Sequence, residues 1–186
     1  MPGSCLILAM TKRDRLRDIE LVDEFLADMK TFSGNPPEFG PKSQKGGKFH
    51  MWEAVWPIAN SFGITETGQL RTNYYPASEA RFSLNIIFRG NCIYRIDFES
   101  DSKSHSNPPW ARALGVPSKV FGPHVHTWSS NRVYLETSGI WDLPCGVPLL
   151  SSIRNFDEAF EWLANEVNIN LGVNDRKFTV PEGLML

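Results

Sequence analysis

The stretch ARFSLNIIFRGNCIYRIDFES, residues 80–100, carries the clearest fold signal in the sequence. Apolar and polar side chains alternate on both sides of its central RGN, which is the pattern of strands with one buried face. The apolar positions are Phe82, Leu84, Ile86 and Phe88 before the break, and Tyr94, Ile96 and Phe98 after it. Gly90 and Asn91 both tolerate positive φ angles, so they suit a tight two-residue turn. The stretch therefore predicts a β-hairpin.

The segments on either side of the hairpin predict further strands. LRTNYYP (residues 70–76) precedes it, and KVFGPHVHTW (119–128) and RVYLET (132–137) follow it. Strands that are grouped rather than alternating with helices favour antiparallel pairing. We therefore expect antiparallel strands throughout residues 70–137.

Three segments have the spacing of amphipathic helices. Residues 12–32 repeat apolar side chains every three or four positions, and residues 50–62 form a second, Trp-rich stripe. The first stripe is Leu16, Ile19, Val22, Leu26 and Met29, and the second is Trp52, Val55, Trp56, Ala59 and Phe62. Residues 155–169 predict a third helix, because Asn155 is a suitable N-cap and two acidic residues follow it.

Taken together, these elements predict an α+β fold. We expect an antiparallel sheet of about four to six strands, with the N-terminal, Trp-rich and C-terminal helices packed on it. The 186 residues suit a single domain over residues 1–186. Residues 33–48, rich in Pro and Gly, predict a flexible loop between the first two helices.

Composition narrows the class of protein. Hydrophobic residues make up 41% and charged residues 22%, as in ordinary globular proteins. The net charge of -2 argues against general electrostatic binding to nucleic acid. Cys5, Cys92 and Cys145 are widely spaced, which predicts reduced thiols rather than a disulfide framework. With neither a signal-peptide charge order nor a membrane-length apolar run, we expect a cytoplasmic protein that does not bind membranes.

The histidines in FGPHVHTW, residues 121–128, are the candidate functional residues. Side chains two apart on a strand share a face, so His124, His126 and Trp128 would point the same way. Two such imidazoles can bind one zinc ion, which takes four ligands and often leaves one position to water. The candidates for a third ligand are His105, Asp97 and Glu99. The spacing permits zinc or another divalent metal, although no feature requires a cofactor.

A metal-free alternative uses the same residues for catalysis. His105 and His126, with Arg95 or Lys103 nearby, could cleave RNA by general acid–base chemistry, since imidazole titrates near neutral pH. The cation would stabilise the phosphorane. This histidine-dependent ribonuclease or phosphoesterase hypothesis makes His105, His124, His126 and Arg95 the catalytic residues. A third interpretation is that His124 and His126 are hydrogen-bonded structural residues.

Residues 80–170 resemble an uncharacterised family of small bacterial and phage-associated proteins. The resemblance rests on the order IYRIDFES, SHSNPPW, FGPHVHTW and FDEAFEWLANEVNI. The family pattern is a strand, a His-x-Asn-Pro loop, a Pro-His-x-His strand and a closing helix that ends in Asn-Ile. Here it falls on His105, Asn107, Pro108, Pro123, His124, His126, Asn168 and Ile169. The resemblance implies a context of mobile elements, phage genes, toxin–antitoxin pairs or defence loci.

Because no catalytic signature is complete, the sequence favours a protein that acts by binding a protein partner. Trp110 in NPPWARALG is the best anchor, since aromatic residues dominate binding hot spots, and Trp128 would add a second contact. The 33–48 loop is locally basic because it contains Lys42, Lys45 and Lys48. Nucleic acid is therefore a further candidate partner, although the net charge does not favour it. The histidine-dependent ribonuclease or phosphoesterase is the alternative function.

Overall fold

The computed structural model describes residues 12–42, 51–63, 68–75 and 81–180. The helices within these ranges are α1 (Lys12–Ala27), α2 (Trp128–Ser138) and α3 (Phe156–Glu166), with 3₁₀ helices at Pro109–Leu114 and Asp175–Lys177. The strands are β1 (Thr31–Phe32), β2 (Gly40–Pro41), β3 (Trp52–Ala59), β4 (Gly68–Tyr75), β5 (Arg81–Phe88), β6 (Asn91–Phe98), β7 (Ser104–Ser106), β8 (Lys119–Phe121), β9 (His124–His126) and β10 (Val147–Pro148).

The predicted hairpin is confirmed as β5 and β6, with its turn one residue earlier than expected. Phe88 pairs with Asn91, so the turn consists of Arg89 and Gly90. Their φ angles of 49° and 83° are both positive, as a two-residue turn that follows the twist of the strands requires. The register then shifts between Ile86 and Ile87, where a β-bulge adds one residue to β6.

The α+β class with an antiparallel sheet is confirmed, and the sheet is larger than predicted. Within the described ranges it has eight strands in the order β1-β3-β4-β5-β6-β9-β10, with β2 also paired to β3. β7 and β8 form a separate two-stranded sheet. Among the strands that the sequence does not predict, β1, β2 and β10 have only two residues each. Such lengths are too short for periodicity to reveal.

The prediction of a helix over residues 50–62 is wrong, because Trp52–Ala59 is strand β3. Ala54, Trp56 and Ile58 are buried, whereas Val55 and Pro57 between them are exposed. This is an alternation with period two. Trp56 belongs both to the stripe at helical spacing and to the strand alternation. The apolar pattern of this segment is therefore compatible with a helix and with a strand. Trp56 does lie in the core, as the stripe predicted.

RVYLET was also assigned wrongly, since residues 128–138 form helix α2 instead of a strand. Thr127 caps the helix by accepting a hydrogen bond from the Ser130 N–H at 3.1 Å. Gly139 ends it with a φ of 71°, a left-handed conformation that suits glycine. The strands predicted over residues 70–137 therefore end at His126.

The two terminal helices are confirmed with shorter bounds. α1 ends at Ala27 rather than at residue 32, because the chain then turns to pair with the segment after α3. Lys30 N–H donates to the Asn168 carbonyl at 2.8 Å, and Asn170 N–H donates to the Lys30 carbonyl at 2.8 Å. α3 begins as predicted, with the Asn155 side chain accepting from the Glu158 N–H. The loop predicted over residues 33–48 contains β2, and its residues 43–48 lie outside the described residues.

The core lies between one face of the sheet and helices α1 and α3. Phe32 stacks on Trp56 with ring centroids 4.0 Å apart, and Phe82 packs edge-on against Phe156 of α3 at 5.2 Å. Phe25 of α1 stacks on Phe88 at 4.4 Å. These aromatic contacts therefore bury this face of the sheet against the two helices.

Within the described residues, Cys92 and Cys145 are free thiols, as predicted, and Cys5 lies outside them. Burial raises the pKa of the Cys92 thiol to about 11, so this thiol is a poor nucleophile at neutral pH. None of the helices in the described part of the chain is long and apolar enough to cross a membrane.

Substituting Gly68→Ala tests the packing of α1 on the sheet. A Cβ at Gly68 would lie 2.8 Å from two ring carbons of Phe25, a ring already held against Phe88. We expect a loss of about 1 to 3 kcal/mol in the free energy of unfolding, the usual cost of overpacking. Gly40→Ala is the control, because a Cβ there meets nothing within 4 Å among the described residues. Equal stabilities of the two variants in urea denaturation would contradict this packing.

Candidate metal centre

The face of the sheet opposite α3 carries polar side chains in two cross-strand rows. The first row, from β3 to β9, is Glu53, Asn73, Ser83, Asp97 and His124. The second row is Val55, Arg71, Asn85, Arg95 and His126. We call these two rows the polar face. They bring His124 and His126 beside Asp97 and Arg95, because directly opposite residues of antiparallel strands are neighbours.

A third histidine reaches the same place from the other sheet. His105 lies on β7, and its ring centroid is 5.3 Å from that of His124 and 4.7 Å from that of His126. The centroids of His124 and His126 are 5.0 Å apart. One ring nitrogen from each of the three residues lies within 4.8 Å of the other two. His126 is 0% exposed and His124 is 3% exposed, so this is a buried cluster of imidazoles.

Two of the three rings have their protons fixed by backbone carbonyls. His124 Nδ1 lies 2.8 Å from the Gly122 oxygen, and His105 Nε2 lies 2.8 Å from the Pro144 oxygen. A carbonyl oxygen can only accept, so these two nitrogens must donate. In the neutral rings the other nitrogens, Nε2 of His124 and Nδ1 of His105, keep their lone pairs. Each ring is thus prepared to act as a ligand.

His126 is the member of the cluster with an unmet hydrogen-bonding requirement. Its Nε2 lies 2.9 Å from Arg95 Nη2 and 3.4 Å from Asp97 Oδ2. Its Nδ1 is buried and has no hydrogen-bond partner in the described part of the chain. Burial lowers the pKa of His126, and Arg95 lowers it further, against the opposing effect of Asp97. The ring is therefore neutral at neutral pH.

Asp97 supplies the negative charge of the site. Burial raises the pKa of its carboxyl group, but His126 and the Arg95 guanidinium lower it more, and the net shift is downward. Arg95 Nε lies 2.7 Å from Asp97 Oδ2, and His124 Nε2 lies 3.6 Å from the same oxygen. The Asp97 side chain is 22% exposed, so the carboxylate connects the buried imidazoles with solvent.

The segment that covers the histidines is held by two asparagine side chains. Asn107 accepts from Gly146 N–H and donates to the Gly146 carbonyl, both at 2.7 Å. Asn131 bonds the N–H and carbonyl of Cys145 in the same way, at 2.7 and 2.8 Å. A Cβ at Gly146 would lie 3.1 to 3.2 Å from all three imidazole rings. The backbone at Gly146 therefore lies directly against the cluster, where only glycine fits without displacing a ring.

The arrangement fits a divalent metal ion of the zinc type. Three neutral imidazoles form a donor set of known catalytic zinc sites, which keep a fourth position for water. Nδ1 of His126 is buried and has no hydrogen-bond partner among the described residues, so it is a nitrogen that an ion could satisfy. Zinc–nitrogen bonds of about 2.0 Å place tetrahedral nitrogens about 3.3 Å apart, so the rings would have to close from their separations of up to 4.8 Å.

Sequence spacing predicts that His124 and His126 share one strand face, with His105 as one of three candidates for a third ligand. The structure brings these three histidines together. Of the other two candidates, Asp97 lies beside the cluster, and Glu99 is ion-paired with Arg81 at 2.5 Å. Lys103, named as an alternative cation, is exposed. The supporting roles of Asn131 and Gly146 were missed, because nothing in the local sequence signals a contact with another segment.

The residues predicted to contact a partner do not lie together. Trp110 is half-buried and stacks on Tyr134 with ring centroids 5.9 Å apart, beside an apolar groove of about 400 Å³. Trp128 is only 6% exposed, and its Nε1 donates to Asp23 Oδ1 at 2.8 Å, so it belongs to the core. Lys42 is ion-paired with Glu53 at 2.5 Å. Lys45 and Lys48 lie outside the described residues.

Comparison of the chain with protein-family models, with curated proteins and with solved structures finds no match. The resemblance to a phage-associated family therefore stays a prediction, and the site has to be interpreted from its own geometry.

Asn107→Ala tests whether this side chain holds the cover over the histidines. The substitution leaves the buried N–H and carbonyl of Gly146 unpaired, so we expect a loss of about 2 to 4 kcal/mol in the free energy of unfolding. Chemical denaturation measures this, with the exposed Asn170→Ala as the control. If both variants lose the same free energy, Asn107 does not have this role.

Proposed function

We propose that the chain is a metal-dependent hydrolase of phosphoesters, in which His105, His124 and His126 hold a divalent ion. The observation that carries the proposal is the buried Nδ1 of His126, which has no hydrogen-bond partner within the described residues, in a cluster where one ring nitrogen of each histidine lies within 4.8 Å of the other two. An unsatisfied buried polar atom in a native site is uncommon, and a bound ion or water is one explanation for it. An ion at the centre of the three rings would provide it.

The chemistry of the site suits hydrolysis. Three protein ligands leave one position for water, and a bound zinc ion lowers the pKa of that water to about 7. Asp97 would accept the proton, since its carboxylate is charged, adjoins both His124 and His126, and reaches solvent. Arg95 provides a cation beside the same position, as a developing phosphorane requires.

The guanidinium groups favour a phosphate ester over an uncharged ester or amide. Arg95 and Arg71 project from the same row of the polar face, and both side chains are partly exposed. Guanidinium groups recognise phosphate through paired hydrogen bonds, and they have no comparable advantage with a neutral carbonyl.

The metal-free acid–base mechanism fits the geometry less well. His126 is 0% exposed, so its imidazole cannot approach a ribose hydroxyl without rearrangement of the cover. His105 Nε2 is already bonded to the Pro144 carbonyl. A general acid or base must come within hydrogen-bond reach of its proton. The same residues act more directly as ligands than as proton carriers.

Metal analysis of purified, tag-free protein tests the proposal. We expect about one equivalent of zinc per chain in the wild type and almost none in the His124→Ala/His126→Ala variant, because three ligands become one. Lys119→Ala/Phe121→Ala is the matched double control, since both residues are exposed on the neighbouring strand β8 and neither belongs to the cluster. A metal content that is unchanged in the double variant would overturn the proposal.

The catalytic role is tested with a small phosphodiester such as bis(p-nitrophenyl) phosphate. We expect zinc-dependent hydrolysis in the wild type and at least about tenfold slower turnover in Asp97→Asn with its zinc retained, a typical cost of losing a carboxylate next to the ligands. A zinc-loaded wild-type protein that hydrolyses no phosphoester would leave a metal site without this activity.

A second candidate function is binding of a protein partner, which the apolar groove next to Trp110 supports. Leu114 and Val133 line this groove and are exposed, at 49% and 41%. A photo-crosslinking residue at position 114 would identify a partner, whose purified form can then be titrated. We expect Trp110→Ala to weaken binding at least about tenfold, as for a hot-spot aromatic, and Phe62→Ala at an exposed position outside the groove to leave it unchanged. Equal affinities would exclude the groove as the contact.

A further inference from the structure

We infer that Arg95 and Arg71 form a phosphate-binding subsite next to the histidine cluster, and that Arg95 Nη2 becomes available to phosphate only when His126 binds metal. This inference rests on the proposed function and adds two things to it. It places the phosphate group on two named residues, and it couples phosphate binding to metal loading. The coupling is set by which nitrogen of His126 carries the proton.

In the structure as it stands, Arg95 dictates the tautomer of His126. Arg95 Nη2 and His126 Nε2 are 2.9 Å apart in a hydrogen bond. A guanidinium group has no acceptor, so Nε2 must accept and the proton of the neutral ring must be on Nδ1. That places an N–H at a buried position with no acceptor among the described residues. The Arg95 contact therefore keeps His126 in the tautomer that cannot ligate an ion through Nδ1.

A metal ion bound to Nδ1 would shift the ring proton of His126 to the other nitrogen, and the ring would stay neutral. The ligating nitrogen needs its lone pair, so the ring proton moves to Nε2. Nε2–H and the guanidinium are then both donors at 2.9 Å, and their contact is lost. Asp97 Oδ2, 3.4 Å from Nε2, is the acceptor that remains. The result is the carboxylate–histidine–metal arrangement in which a neighbouring carboxylate fixes the ligand tautomer.

With Nη2 released and Nε still beside Asp97 Oδ2, Arg95 has a second guanidinium as its neighbour on the polar face. Arg71 and Arg95 are both paired with Asn85 in the same cross-strand row, one on each side. With strands about 4.8 Å apart, their backbones are separated by about 10 Å, a distance that two arginine side chains can bridge around one anion. Asn85 between them is uncharged, and its side-chain amide donates to Ser83 Oγ at 3.2 Å.

Arg71 is poorly neutralised for a residue beside an acid. Its Nε lies 3.6 Å from Glu53 Oε1, and the same oxygen is already in a 2.5 Å contact with Lys42. Arg71 Nε is buried without a hydrogen-bond partner in the part of the chain that is described. Both arginine side chains are partly exposed, at 40% for Arg71 and 31% for Arg95. A phosphate group fits this pair, because it accepts from two guanidinium groups at once.

The two ligands should therefore bind with positive coupling. Metal binding frees Arg95 Nη2 for phosphate, and by thermodynamic reciprocity phosphate then favours the metal-loaded tautomer by the same factor. Substitution of Arg95 removes the hydrogen bond to His126 that competes with the metal. It also removes the part of phosphate binding that Arg95 supplies when the metal is bound. A direct bond between metal and phosphate would survive this substitution, so the variant separates the two sources of coupling.

The experiment measures inorganic phosphate binding by calorimetry in metal-free protein and in protein carrying one equivalent of zinc, with free zinc removed. We expect zinc to tighten phosphate binding at least about tenfold in the wild type, a coupling in the usual allosteric range. In Arg95→Gln we expect the zinc-induced increase in phosphate affinity to be at least about fivefold smaller than in the wild type. We also expect this variant to bind zinc more tightly than the wild type when phosphate is absent. Arg81→Gln is the matched control, because Arg81 lies on the same sheet face but is paired with Glu99; its coupling should equal that of the wild type.

Nitrogen NMR of the wild type tests the tautomer directly and does not depend on the folding of a variant. We expect the His126 proton on Nδ1 in the metal-free protein and on Nε2 after zinc is added. A proton on Nε2 in the metal-free protein, or equal coupling in wild type and Arg95→Gln, would overturn this inference and leave the hydrolase proposal standing. Absence of zinc binding would overturn both.

Discussion

The antiparallel pairing of β6 with β9 is the constraint on which the site depends. It sets Arg95 opposite His126 and Asp97 opposite His124, and it places the intervening Ile96 and Val125 in the core. A slip of one residue would turn the histidines into the apolar core and turn these two apolar side chains outward. The burial of one face thus fixes the chemistry of the other. This is why a three-residue strand can hold two imidazoles in a defined relation to a carboxylate and a guanidinium.

The parts of the fold that could be predicted from sequence are those whose signal is local. The β5–β6 hairpin and α3 each carry their own periodicity and their own turn or cap. Residues 50–62 were misassigned because Trp56 fits a helical stripe and a strand alternation equally well, and the choice is made by pairing with β4, which no local pattern reveals. Short segments such as β1 and β10 gain their structure from neighbours in the sheet.

For the candidate site, too, only the part with a local sequence signal could be predicted. Period-two spacing was enough to place His124 and His126 together, since it is a property of any strand. Which residue would complete the cluster could be narrowed to three candidates but not decided, because His105 arrives through the pairing of β7 with β8 and the cover at Gly146. Asn107 lies 39 residues before the glycine that it holds, a separation at which sequence alone carries no information about contact.

The placement of His105 has a consequence for the rate at which an ion could enter and leave. His105 belongs to the two-stranded sheet, whereas the other two imidazoles belong to the main sheet, so an ion shared by them would act as a cross-link between separate structural units. Closing a loop of this size, near 20 residues, is worth about 3 kcal/mol by the chain-entropy account used for disulfides. The segment that contains β7 and β8 would then have to detach from the main sheet before the ion could leave. Exchange of the ion would be set by the frequency of this local unfolding rather than by the strength of any single ligand bond.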